Sequence, residues 1–190
     1  MSLGKQAKII TEGQQKAVLL FLAGRRNSQR DTVMFLLSVD AGLRAKEIAA
    51  LEWAMITNAE GKLSDEIRLQ DRASKGRSGG VVFMSKRLKD ALEAYGNGQE
   101  LKGSVVKSQV GRSMNAQVVT NWFFNLYNRL GFDGCSSHSG RRTAITKWAR
   151  KISSVGGSMR DVQALARHSS LAMTQRYIEV SSDAMRRVVG

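Results

Sequence analysis

Not one of the 190 residues is a proline, so no ring forces a helix to kink or stop by removing a backbone N–H. Element ends must be set by Ser, Thr, Asn, Asp and Gly instead. Apolar residues recur at three- and four-residue spacing over most of the chain, the mark of amphipathic helices. Gln14 to Leu22 reads as the first, closed by Gly24 and the basic pair Arg25-Arg26. Ser28 reads as the N-cap of a second, with Val33, Met34, Leu36 and Leu37 on one face and Gly42 as its stop. A third carries Ile48, Leu51 and Met55. After the turn Asn58-Ala59-Glu60-Gly61, Leu63 to Leu69 and Val81 to Ser85 read as strands flanking a Gly/Ser-rich basic loop, Asp71 to Gly80. Lys86 to Tyr95 returns to helix. Ala116 to Leu130 is strongly amphipathic, with Val119, Trp122, Phe123 and Leu126 inward. His138 to Lys151 follows, turning Ile145 and Trp148 inward, and Gly156-Gly157-Ser158 reads as a hinge. Arg160 to Arg167, Leu171 to Val180 and Asp183 to Val189 complete the chain as short helices. The expected fold is mainly α with a small antiparallel β-sheet, an α+β arrangement.

Charge narrows the partner. Thirty Lys and Arg against 16 Asp and Glu leave a net +14, which points to a polyanion, most commonly nucleic acid. A hydrophobic fraction of 42% supports a real core and excludes general disorder. Cys135 is the single cysteine, so an internal disulfide is impossible, as suits a reducing compartment. One cysteine and two histidines fall short of a usual structural zinc set. The longest apolar run, Ala17 to Ala23, is far below the ~18 residues of a membrane span. Met1-Ser2-Leu3-Gly4-Lys5 lacks a signal core, so a cytoplasmic, membrane-free protein is expected.

Four segments carry residue types suited to phosphate chemistry. Arg44 follows the Asp40-Ala41-Gly42-Leu43 turn at the mouth of a helix, and Lys75 sits in the Ser74-Lys75-Gly76-Arg77 loop. His138-Ser139-Gly140-Arg141-Arg142-Thr143 opens a helix, where residues three apart share a face and free N–H groups favour an anion. Leu165-Ala166-Arg167-His168-Ser169-Ser170 precedes Thr174-Gln175-Arg176-Tyr177. Each alone is an ordinary basic turn, a capped histidine or a packed tyrosine. Their order is what narrows the choice.

That ordered set, from about Gly13 to Ser182, resembles the catalytic domain of the tyrosine recombinase (phage integrase) family. The sharpest stretch is Val162 to Ser170 with Met173-Thr174-Gln175-Arg176-Tyr177-Ile178. The resemblance implies Arg44 and Arg141 as the two catalytic arginines, Lys75 as the strand-loop lysine, His138 and His168 as the two histidines, and Tyr177 as the nucleophile. Glu47 is implied as an acidic residue holding the helix at Arg44. The implied reaction is site-specific strand cleavage and rejoining through a 3′-phosphotyrosine, without ATP, metal or other cofactor. His138 would take the phenol proton, Lys75 would protonate the departing 5′-oxygen, and His168 would bond a phosphate oxygen. The competing reading is a catalytically inactive, recombinase-like DNA-binding regulator; type IB topoisomerase is a third.

The sequence also departs from the family pattern. Arg167 stands where glycine is usual, Arg142 where a third histidine is common, and Phe83 where a strand proline is common. By resemblance, residues 1–12 form an N-terminal extension, 13–180 the catalytic domain, and 181–190 a tail whose Met185, Val188 and Val189 could dock on a neighbouring protomer. The helical domain that most members carry in front is expected to be missing, as in short fimbrial-switch recombinases. Expected partners are double-stranded DNA, further copies in a tetramer on DNA from a monomer in solution, and accessory DNA-bending proteins.

Overall fold

The computed structural model describes residues 6–71, 79–178 and 182–189. Its elements run α1 (Glu12–Ala23), α2 (Ser28–Val39), α3 (Ala45–Ala49), β1 (Glu66–Leu69), β2 (Gly80–Phe83), α4 (Lys86–Gly96), α5 (Ala116–Arg129), α6 (Ser139–Lys151), α7 (Met159–Ala166), α8 (Leu171–Gln175) and α9 (Ser182–Val189). This is the mainly helical fold with one small antiparallel sheet that the sequence implies. The chain divides into two compact units, Met1–Ala144 and Ile145–Gly190.

The first unit holds the larger core. Val33 to Leu37 of α2 are all nearly inaccessible, and Leu22, Ile48, Trp53, Leu92, Val119, Phe123 and Tyr127 pack with them. The one-faced α2 expected from the sequence is therefore too narrow, because α1, α3 and α4 cover it on several sides. Local chemistry sets the ends. Thr11 caps α1 in a reciprocal box with Gln14, Ser85 caps α4 and Asn115 caps α5. Asn27, not Ser28, stands at the N-cap of α2. Strands β1 and β2 pair antiparallel, Ile67 opposite Val82, with both buried.

The third helix is shorter than its apolar spacing suggests. It ends at Ala49, and Leu51 and Met55 lie beyond it, Met55 in a single 3-10 turn of Trp53–Met55. The cause is backbone pairing. Trp53 N–H donates to the Gly103 carbonyl at 2.9 Å and Val105 N–H donates to the Leu51 carbonyl at 2.8 Å. A main chain committed to that bridge cannot also complete helical bonds.

The second unit is built on Ile145, Val162 and Ala166, with Trp148, Ile152, Met159 and Tyr177 packed against them. The Gly156-Gly157-Ser158 break is a built turn. Gly156 takes φ 78°, and a Cβ on Gly157 would come within 2.8 Å of Ile152. Ser158 and Asp161 then form a capping box for α7. The Ser158 N–H beside it holds the Asp161 carboxyl below its ordinary range. Helix α8 ends at Gln175, so Tyr177 lies just past it rather than within it. In α9, Met185 and Val189 are exposed. Among the described residues no helix is long and apolar enough to cross a membrane.

Candidate active site

In the first unit two arginines meet at one turn. The chain leaves α2, turns at Gly42 with φ 61°, and enters α3 with Arg44 at its N-cap. Glu47, one helical turn on and fully buried, holds Arg44 twice. Its Oε1 accepts from Arg44 Nη1 at 2.7 Å and its Oε2 accepts from the Arg44 backbone N–H at 2.8 Å. The Arg44 side chain remains 19% exposed. The expected structural role of Glu47 thus has a geometric basis.

Arg141 comes to the same turn from α6. It is 2% exposed, and its Nη1 donates to the Gly42 carbonyl at 2.6 Å, two residues before Arg44. The turn that presents one guanidinium therefore also anchors the other. Two guanidinium forks fixed at one turn, with Glu47 balancing the charge of Arg44, offer directed donors to an anion with several oxygens. Helix α6 reaches this place because Gly140 lies directly against Ser38 of α2. Thr143 Oγ1 also ties α6 to the N-terminal segment, accepting from the Ile10 N–H and donating to the Ser139 carbonyl, both at 2.8 Å.

His138 stands immediately before α6. Its N–H donates to Ser136 Oγ at 3.3 Å, its carbonyl accepts from Arg142 N–H at 2.9 Å, and the residue is exposed. Spacing alone puts His138 and Arg141 on one face, yet their surroundings differ sharply, one solvent-facing and the other buried. Nearby, partial burial pushes the Cys135 thiol up. Lys75 and most of its basic loop lie outside the described residues.

The second unit brings His168 and Tyr177 together. Their rings stack at 5.2 Å between centroids with 29° between planes. Tyr177 is held by its main chain on both sides. Its N–H donates to the Thr174 carbonyl at 2.9 Å, and its carbonyl accepts from Thr146 Oγ1 at 2.9 Å. His168 is 6% exposed, with Nδ1 3.0 Å from Thr174 Oγ1. Its backbone N–H donates to the Gln163 carbonyl, while Gln163 Nε2 donates to its carbonyl, each at 3.1 Å.

Arg167 resolves one departure from the family pattern. It takes the left-handed conformation, φ 52° and ψ 47°, at the C-cap of α7 and is 9% exposed. The glycine-type turn is kept, and an arginine adopts it at a cost of roughly 1–2 kcal/mol. No other described residue except glycine has positive φ. Thr146 and Thr174 are the site residues that sequence reasoning missed. Thr174 was visible in the Thr-x-x-Tyr pattern, but its partner was not; Thr146 acts across 31 positions and carries no local signal. Among the described residues, no group of three or more His, Cys, Asp or Glu is placed to hold a metal ion.

Comparison with known proteins bears on the family and the fold. The model of the phage integrase family matches residues 8–183. XerA recombinase is similar in structure, with a TM-score of 0.74 at 18% identity over 95% of this chain and 63% of that one. The Tn1549 transposon integrase in complex with circular intermediate DNA gives 0.72 at 17% identity, covering 99% of this chain and 67% of that one. A lambda integrase dimer bound to a COC' core site gives 0.67 at 17% identity, covering 93% and 49%. No curated protein matches the chain. It spans less than two thirds of the XerA chain and about half of the lambda integrase chain, and at these identities the likeness establishes a shared fold.

Proposed function

We propose that this chain, which belongs to the phage integrase family, is a site-specific DNA recombinase that cuts and rejoins double-stranded DNA through a 3′-phosphotyrosine at Tyr177. The observation that carries the reading is the meeting of Arg44 and Arg141 at the Gly42 turn. Two guanidiniums held there, one of them buried, match the charge that grows on the non-bridging oxygens of a phosphodiester during in-line displacement.

In the proposed reaction Tyr177 Oη attacks phosphorus, and the P–O5′ bond breaks. The phenol proton passes to His138, and Lys75 protonates the departing 5′-oxygen. His168 donates a hydrogen bond to a phosphate oxygen. The tyrosyl ester retains the free energy of the broken linkage, so a 5′-hydroxyl can reverse the step and reseal the strand. Tn1549 integrase and lambda integrase, which share this fold, have been solved with DNA. Together with the net charge of +14, this supports duplex DNA as the substrate. Several copies acting together on DNA, with residues 13–180 as the catalytic domain, are part of the same proposal.

Incubation with negatively supercoiled plasmid in chelator and without ATP tests the reading. Relaxed topoisomers from the natural chain and none from Tyr177→Phe are expected. Relaxation that persists in Tyr177→Phe would remove the assignment, and binding without relaxation by either form would favour the non-catalytic regulator.

A further inference from the structure

Thr174 is fully buried and makes polar contacts toward both His168 and Tyr177. Its carbonyl fixes the tyrosine backbone, and its hydroxyl lies 3.0 Å from His168 Nδ1. A neutral imidazole carries one N–H, so whichever role that hydroxyl takes decides which ring nitrogen is protonated. The ring has little freedom to choose otherwise. Tyr177 stacks on its face, Gln163 brackets its main chain on both sides, and the residue is almost wholly buried.

We infer that Thr174 is a positioning residue for His168: its hydroxyl donates to Nδ1 and holds the neutral ring as the Nε2–H tautomer. The inference rests on the proposed role of His168 as a donor to a phosphate oxygen. Were Nδ1–H to donate to Thr174 instead, Nε2 would be a bare acceptor facing the negative charge it is meant to stabilise. With Thr174 as donor, His168 supplies an N–H without carrying a charge in a buried site, where an ionised ring is costly. One residue thereby orients both the histidine and the backbone of the nucleophile.

The test pairs Thr174→Val, which keeps the shape and loses the hydroxyl, with Thr174→Ser, which keeps the hydroxyl. The chain has two histidines, so 15N-histidine labelling yields two ring systems, assigned with His138→Gln. Spectra are recorded at about pH 8.5, above ordinary imidazole titration. The natural chain and Thr174→Ser should show a protonated Nε2 and a bare Nδ1 at His168; Thr174→Val should shift toward averaged tautomers. A His168 protonated at Nδ1 in the natural chain, or ring signals unchanged in Thr174→Val, would overturn the inference. Covalent adduct formation on nicked duplexes should fall at least tenfold in Thr174→Val and stay within about threefold in Thr174→Ser; equal yields from Thr174→Val and the natural chain would also overturn it. If the natural chain forms no adduct, the recombinase reading fails, while the ring signals still decide the Thr174–His168 relation. Should Thr174→Val not fold, the natural chain and Thr174→Ser spectra suffice.

Discussion

Glu47 holds Arg44 with both carboxylate oxygens, one on the guanidinium at 2.7 Å and one on the backbone N–H at 2.8 Å. The first contact aims the side chain and the second caps α3, so one buried acid fixes where the arginine starts and where it points. Glu47→Gln keeps the size and one accepting oxygen but loses the charge. It should lower the rate of strand cleavage by about ten- to a hundredfold, with DNA affinity little changed. Single-turnover cleavage beside a filter-binding titration checks this. An unaltered rate would show that Arg44 is held by other means.

The left-handed Arg167 carries a cost that a pair of variants can isolate. Arg167→Ala removes the side chain and keeps the strained backbone, whereas Arg167→Gly removes both. Thermal unfolding should find the glycine variant more stable than the alanine variant by about 1 kcal/mol. An alanine variant equal to or better than the glycine one would contradict the φ of 52°.

Gly140 is where α6 presses on α2. A Cβ placed there would sit 2.1 Å from Ser38 Oγ and 2.8 Å from Ser38 Cβ. Gly140→Ala should therefore destabilise by about 1–3 kcal/mol, read as a lowered midpoint in urea. Because the same helix carries Arg141, cleavage should fall as well. A midpoint equal to that of the natural chain would mean that α6 approaches α2 less closely than described.

Thirty basic side chains on a chain of 190 residues imply binding dominated by counterion release. The logarithm of DNA affinity should fall linearly with the logarithm of salt, with a slope near −0.9 per phosphate neutralised. Equilibrium titrations from about 50 to 200 mM salt should lose at least about a hundredfold in affinity. A flat response would point away from a phosphate-reading surface.

What was legible in the sequence followed from local rules. Helical spacing located α1, α4, α5 and α6 because each carries its own apolar residues at helical spacing, and α1, α4 and α5 also carry a side-chain cap. The proposed catalytic set rests on order and spacing alone, whereas the pairing of Arg44 with Glu47 is readable as one helical turn. The missed features are long-range. Nothing near Ile48 announces that residues 51–53 pair with Gly103 and Val105, which is why apolar spacing alone carries the third helix past Ala49 to Met55. The opposed surroundings of His138 and Arg141, and the Thr146 bond that holds Tyr177, depend on segments that meet only in the folded chain; the Thr174–His168 contact is local but has no spacing signature of its own.

The central claim is that Tyr177 joins covalently to DNA. The direct measurement is mass spectrometry of protein trapped on a pool of nicked duplexes of random sequence, digested by nuclease and then by protease. The account predicts a nucleotide phosphate on the peptide bearing Tyr177 and none in Tyr177→Phe. A nucleotide on another residue, or a trapped complex that survives Tyr177→Phe, would contradict it.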